Sequence, residues 1–165
     1  MATSEEDDIF RKTEVSSDMT PESAHDFYLE HGLYYHEDAE IGDLAAALGD
    51  KAPYDGLSRL LPIVSKDARA HAIIRPFLAG SYLGFYILGA DKGKFFAHTI
   101  DNDGQDNRIV IYMLPSKTCL QFFQKAHRGR LRGVPANRLV QIPYKFLKNI
   151  RNLRDFEANM DKGGL

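Results

Sequence analysis

Apolar residues recur at helical spacing through the first half of this chain and as strand-length runs through the second. Thr20-Pro21-Glu22 supplies an N-cap, a first-turn proline and an early acid. Ala24, Phe27 and Tyr28 follow at helical spacing, and Gly32 is a stop. A second helix is expected near Glu40 to Leu48, with Ile41, Leu44, Ala45 and Leu48 on one stripe and Gly49 after it. Asp55 to Val64 supplies another turn or two around Pro62, and Ser65 is the expected cap of a helix from Lys66 to Ile74. The segment Met1 to Met19 is polar and acidic, without periodic apolar positions, and reads as a flexible tail.

The pattern changes at Gly80. Ser81 to Gly89 is aromatic and apolar on both faces, as in a buried central strand, and Asp91-Lys92-Gly93 is a turn. Phe95 to Ile100, Arg108 to Leu114 and Thr118 to Gln124 are three further expected strands. The first two are joined as a hairpin through the Asp, Asn and Gly-rich loop Asp101 to Asn107. Ala126 to Asn137 is a basic loop and Arg138 to Ile142 another strand. Tyr144 to Leu153 has helical spacing, and Asp161 to Gly164 forms a closing turn. Helices followed by strands imply an α+β domain with an antiparallel sheet, organised as a tail over 1–19 and one domain over 20–165, helical over 20–79 and mainly β over 80–165.

Composition narrows the class. With 165 residues and 44% hydrophobic content, one substantial core is expected. No run approaches the roughly 18 apolar residues that span a bilayer, and the acidic start is unlike a secretory signal, so a cytoplasmic protein without membrane attachment is expected. Cys119 is the only cysteine, which excludes an internal disulfide and a multi-thiolate zinc site. Its apolar neighbours suggest a small buried hydrophobe. Charge is polarised: residues 1–60 carry fifteen acids against four bases, while Asn107 to Arg154 contains eleven Lys and Arg and no acid. Such a basic half suits an anionic ligand, a nucleic acid or the protein's own acidic half. Nucleic-acid binding is the weakest of these, because Phe122-Phe123, the aromatics beside the basic loop, lie in a strand where at least one must face the core.

The candidate chemistry lies at the hairpin, where His98 is followed by Asp101, Asp103 and Asp106. A strand histidine with a carboxylate beside it begins a 2-His-1-carboxylate facial triad, which binds Fe(II) on one face and leaves positions for substrate and oxygen. Side chains two apart share a face of a flat strand, and that position is Ile100. Asp101 therefore serves only if the strand carries an extra residue. A calcium loop is excluded, because Asp106 stands where glycine is needed and no glutamate occupies the twelfth place.

The order of these segments has a family look: Tyr82 to Ala90, His98 with its acids, Arg108 to Leu114, Leu120 to Gly129, and Met160-Asp161-Lys162-Gly163-Gly164-Leu165. It resembles the first part of the double-stranded β-helix in the phytanoyl-CoA dioxygenase family of Fe(II)/2-oxoglutarate oxygenases. The resemblance covers residues 22–165 and rests on order more than on a strict motif. In that family a His-x-Asp strand supplies two iron ligands and a Gly-Ser-His-Arg-like segment follows, which Lys125-Ala126-His127-Arg128 looks like. The resemblance implies N-terminal helices packed on a jelly-roll-like antiparallel sheet left incomplete, with the second histidine and the 2-oxoglutarate arginine falling beyond Leu165. It implies His98 and Asp101 as catalytic iron ligands and Arg108, Tyr112 and Arg128 as contacts for an anionic cosubstrate or substrate. Fe(II) and 2-oxoglutarate, both conditional on a complete site, would oxidise a small natural-product-like or lipid-like molecule.

Two other readings stand beside it. One is an inactive dioxygenase-like module that binds or stabilises a partner. An open sheet edge needs covering in either case, which points to a homo- or hetero-oligomer. The other is a metal-free α+β isomerase or dehydratase in which His98 pairs with Asp101 or Asp103 as general base.

Overall fold

The computed structural model describes residues 9–48, 53–79, 93–100, 108–137 and 139–165. Four helices come first: α1 (Pro21–His31), α2 (Ala39–Leu48), α3 (Pro53–Val64) and α4 (Ala68–Leu78). Strands β1 (Phe95–Ala97), β2 (Thr118–Phe123), β3 (Val134–Ala136), β4 (Leu139–Ile142) and β5 (Asp155–Met160) follow, with a π-helical turn at Phe146–Ile150. The described strands form two antiparallel sheets, β1-β4-β3 and β2-β5, so the fold is α+β. None of the described helices is long and apolar enough to cross a membrane. The expected central strand Ser81 to Gly89 lies outside the described residues.

Local signals explain the helices. The Thr20 hydroxyl accepts from the Ser23 N–H, Pro21 opens α1, and Gly32 ends it at φ 77° with its N–H donating to the Tyr28 carbonyl at 2.7 Å. The cap of α4 differs from expectation. Asp67, not Ser65, accepts from the N–H groups of Arg69 and Ala70, while the Ser65 hydroxyl turns back to the Leu61 carbonyl of α3. A carboxylate satisfies two orphan donors and suits the positive helix end, which is why the helix starts later.

Three clusters make the core. The first gathers Ile41, Leu44, Leu48, Leu60, Val64, Ala70 and Ile74 between α2, α3 and α4. The second holds Val15, Tyr35, Leu114, Ala158 and Met160, and the third Phe123, Leu131, Ile142 and Leu147. Strand β2 serves two of them, since Leu120 and Phe122 face the second and Phe123 the third. Both phenylalanines that might have stacked on bases are therefore packed. Each such side chain contributes about 1.5–3 kcal/mol of transfer free energy.

Several expectations are corrected. Residues 9–19, assigned to the flexible tail, are packed. Val15 has no exposed surface, its N–H donates to the Tyr35 carbonyl at 3.0 Å, and Phe10 stacks on Phe156 at 4.8 Å. Apolar burial of Ile9, Phe10, Val15 and Met19 fixes a segment whose composition looked solvated. Cys119 is exposed rather than buried, because β2 alternates and places Leu120 and Phe122 inward. Tyr144 to Leu153 contains only a short helical stretch ending in the π turn. Strand β1 stops at Ala97 instead of Ile100. Finally, 108–114 is not a regular strand. Only Leu114 makes a bridge, to Gly164, although exposure alternates along the segment as it would in a strand.

That bridge belongs to a narrow ladder across the molecule. Glu14 pairs with His36, Glu37 with Gly164, and Gly164 with Leu114, all antiparallel. The segment 163–165 thus lies between 36–38 on one side and Leu114 on the other. A side chain has no room there: a Cβ on Gly163 would stand 2.4 Å from Gly42 Cα and one on Gly164 2.3 Å from the His36 carbonyl oxygen.

Candidate functional site

His98 stands at a bend immediately after β1. The strand is held by β4, with Phe95 opposite Ile142 and Ala97 opposite Val140, and both Phe95 and Ala97 pack on the third cluster. Regular alternation would send Thr99 to that face next. Instead Ile100 packs there, and its carbonyl accepts from the Leu131 N–H at 2.9 Å. The chain has gained one residue between Ala97 and Ile100. The isoleucine that a flat strand would place beside His98 is turned into the core.

The His98 imidazole is half-buried. Burial first, and the positive Arg108 guanidinium second, hold it below the ordinary histidine range, so it is neutral at pH 7 and carries a lone pair. Arg108 is thus near enough for its charge to act on His98, but the expected hairpin is not formed among the described residues: β1 pairs with β4, and 108–113 pairs with no described strand. Tyr112, four residues on from Arg108, is 51% exposed. Asp101, with Asp103 and Asp106, lies outside the described residues. Among those described, no three His, Cys, Asp or Glu side chains gather as a metal would require.

Arg128 and its neighbours do something else. The segment Gln124 to Arg128 grips the C-terminal end of α1, where unpaired carbonyls carry partial negative charge. The Lys125 N–H donates to the His31 carbonyl at 3.0 Å, and the Leu29 carbonyl accepts from His127 Nε2 at 3.0 Å and Arg128 Nη2 at 3.3 Å. His127 must then be protonated at Nε2, leaving Nδ1 bare, and that atom is buried without a hydrogen-bond partner. Burial holds this imidazole below the usual range despite the Leu29 bond. Gln124 Nε2 meets His31 Nδ1 at 2.8 Å in the interior, and Lys125 Nζ lies 3.7 Å from Glu30. The stretch that looked like a Gly-Ser-His-Arg segment is a clasp on α1, and the guanidinium expected to contact a cosubstrate is directed at a helix end.

A second polar cluster was missed in the sequence. His36, 7% exposed, has Nε2 at 3.8 Å from Asp67 and 3.9 Å from Asp38. The Tyr34 hydroxyl donates to Asp67 at 3.2 Å, and Arg69 reaches Asp67 at 3.1 Å and Glu14 at 3.9 Å. Burial pushes the Tyr34 phenol far up and the His36 imidazole down, the latter against the pull of both aspartates. Burial opposes the charge of Asp67 as well, but the Arg69 guanidinium and the Ala70 N–H outweigh it and hold the carboxyl below its usual range. A phenol that keeps its proton and an aspartate committed to an arginine and a helix cap describe a structural network tying the N-terminal segment to α4. The one signal for it was Asp67 two residues after Ser65, a better cap for the same helix.

No family model matches the chain, and no curated protein or solved structure matches it.

Proposed function

We propose that this chain is an Fe(II)/2-oxoglutarate-dependent oxygenase-like protein built on the first part of a double-stranded β-helix, with His98 and Asp101 as its iron ligands. The observation that carries the reading is the residue gained between Ala97 and Ile100. It takes the isoleucine out of the place beside His98, which supports a reading with the next residue in sequence, Asp101, as the carboxylate. The donor chemistry suits the ion in part: a neutral imidazole and a carboxylate are two members of a facial triad, and a further histidine is needed to complete it. When bound with 2-oxoglutarate, iron supplies the oxidising power for attack on an unactivated C–H bond.

Each residue then has a definite task. His98 offers a lone pair because burial and Arg108 keep it neutral. Arg108 neutralises the carboxylate of an anionic cosubstrate beside it. Tyr112 presents an aromatic surface to a small apolar substrate. Arg128 is left out of the site.

Anaerobic addition of Fe(II) and 2-oxoglutarate is expected to give a weak metal-to-ligand band in the visible, lost in His98→Ala and in Asp101→Ala. A folded, monodisperse chain that gives no band would refute iron binding and leave the partner-binding module and the metal-free isomerase or dehydratase, of which only the enzyme should turn over a small ketone or alcohol. The segment 108–113, which alternates in exposure and has no strand partner among the described residues, favours the partner-binding reading independently.

A further inference from the structure

The turn after β4 turns outward an apolar side chain that its sequence spacing would bury. Phe146, Leu147, Ile150 and Leu153 recur at α-helical spacing, and α winding would set all four toward the core. The backbone winds wider instead: the Arg151 N–H donates to the Phe146 carbonyl, five residues back, at 2.9 Å. Phe146, Leu147 and Leu153 still pack on the third cluster, but Ile150 is left out of it. Ile150 is 73% exposed, the highest value for a large apolar residue among those described. One exposed apolar residue is ordinary on a protein surface. A π turn that presents it is not, because such turns are rare and recur at functional sites.

The surroundings of Ile150 are cationic. Between Lys125 and Arg154 the chain carries nine Lys and Arg and no Asp or Glu. Lys145 is exposed and stands five residues before Ile150, one π turn away and on the same side. Arg151 follows it, and its guanidinium donates to the carbonyls of Arg128 and Arg130, which holds the exposed Arg128 to Arg130 loop against the turn. Arg128 bonds the Leu29 carbonyl in turn. Carbonyls carry no net charge, so these bonds leave the charges of Arg128 and Arg151 in place. Lys148 and Lys125, by contrast, are offset by Asp155 and Glu30.

A nucleic acid, an acidic polypeptide and an anionic lipid surface all carry the complementary charge. Base stacking needs an open aromatic face. The nearest candidate, Tyr144, has its ring against Phe95 and Phe123 at 5.8 and 5.6 Å between centroids, and its hydroxyl donates to Asp155. A polypeptide docks in a groove or along a strand edge, whereas Ile150 stands on a turn where three successive residues, Lys148 to Ile150, are exposed. An aliphatic tip ringed by cations suits the boundary between anionic headgroups and acyl chains. We infer that this π turn is a peripheral contact for an anionic lipid surface. Ile150 enters the acyl boundary, and Lys145, Arg128 and Arg151 meet the headgroup anions. The expected lack of membrane attachment rested on the lack of a spanning run, and a peripheral contact needs none. This inference does not depend on iron binding.

The test uses the full chain and flotation with vesicles of phosphatidylcholine, with and without phosphatidylserine. Binding is expected only to the vesicles that contain phosphatidylserine. It should weaken about fivefold in Lys145→Ala and about tenfold in Ile150→Asn. The chain has no tryptophan, so Ile150→Trp reports on this position alone. Its emission should shift to the blue on the anionic vesicles and be quenched by brominated acyl chains. No flotation of the folded chain, equal flotation without phosphatidylserine, flotation that both variants leave unchanged, or unquenched emission from the bound Ile150→Trp chain would each overturn the proposal. Tighter binding to a single-stranded oligonucleotide or to polyglutamate at the same ionic strength would overturn it too, and would make a nucleic acid or an acidic polypeptide the partner.

Discussion

The end of α1 and the end of β1 each present histidines, and they use them in opposite ways. At α1, His31 faces Gln124 inside the core and His127 is bound to the Leu29 carbonyl, so both imidazoles act as fasteners between distant parts of the chain. At β1, His98 stands part-exposed at a bend beside Arg108, where the chain leaves the sheet. A histidine bound to a helix terminus or a buried amide contributes stability. His98, at a strand end, is the residue proposed above as a ligand. The contrast predicts that damage at α1 costs stability and damage at β1 costs binding.

The largest stability effect is expected from Gly32→Ala. The residue holds φ 77°, and a Cβ there would stand 1.8 Å from His127 Nδ1, so the clasp must open as well as the backbone strain. A loss of about 3 kcal/mol is expected in denaturant unfolding, with the Fe(II) response of the folded fraction retained. A loss below about 1 kcal/mol would show that the clasp yields easily and that the comparison is drawn too sharply.

That clasp also marks the boundary of what the sequence reveals. Thr20, Pro21 and Gly32 declare α1 because a cap is made by residues within one turn of it. The clasp joins Leu29 to residues about 98 positions away, and no local pattern encodes such a pairing. Strand β5 went unread although Phe156, Ala158 and Met160 alternate with Asp155, Glu157 and Asn159. Those polar residues disfavour strands, and only the register with β2, Phe122 opposite Phe156, makes the segment one. At the candidate site the histidine was legible and the bend was not. Ile100 had to be seen against Leu131 before the extra residue became visible.

Gln124→Leu probes the same fastener more gently. It takes from His31 Nδ1 the amide that meets it in the interior, and loss of one partner of a buried polar pair costs about 1–3 kcal/mol. Equilibrium unfolding of the variant against the parent chain gives the value. An unchanged midpoint would mean that His31 is held by its ring contacts with Phe10 and Phe27 instead.

Acid should act on both regions with the same sign. His36, His98 and His127 are each held below the ordinary histidine value of 6.5, so the unfolded chain binds protons before the folded one does. Their contribution to stability is complete above pH 6.5 and is lost as the pH falls from there toward the depressed folded values. Asp67 adds a separate loss below its ordinary 3.8, as the pH passes through its depressed value. Moving from pH 7.5 to 5.5 is expected to lower the unfolding free energy, measured by denaturant unfolding, with the buried His36 among the contributors. Equal stability at the two values would contradict the burial of these imidazoles.

His98→Ala should be the mildest change to the fold and the most damaging to the proposed chemistry. The ring is half-buried and the Arg108 charge disfavours its protonated form, so its removal is expected to alter stability by no more than about 0.5 kcal/mol. The companion variant Arg108→Ala sharpens the point: with the guanidinium gone, the His98 resonance followed by NMR should titrate closer to the ordinary value. Only burial then remains to depress it. If His98→Ala instead unfolds the chain as Gly32→Ala does, the imidazole at β1 is a fastener like those at α1, and the assignment of chemistry to that bend fails with it.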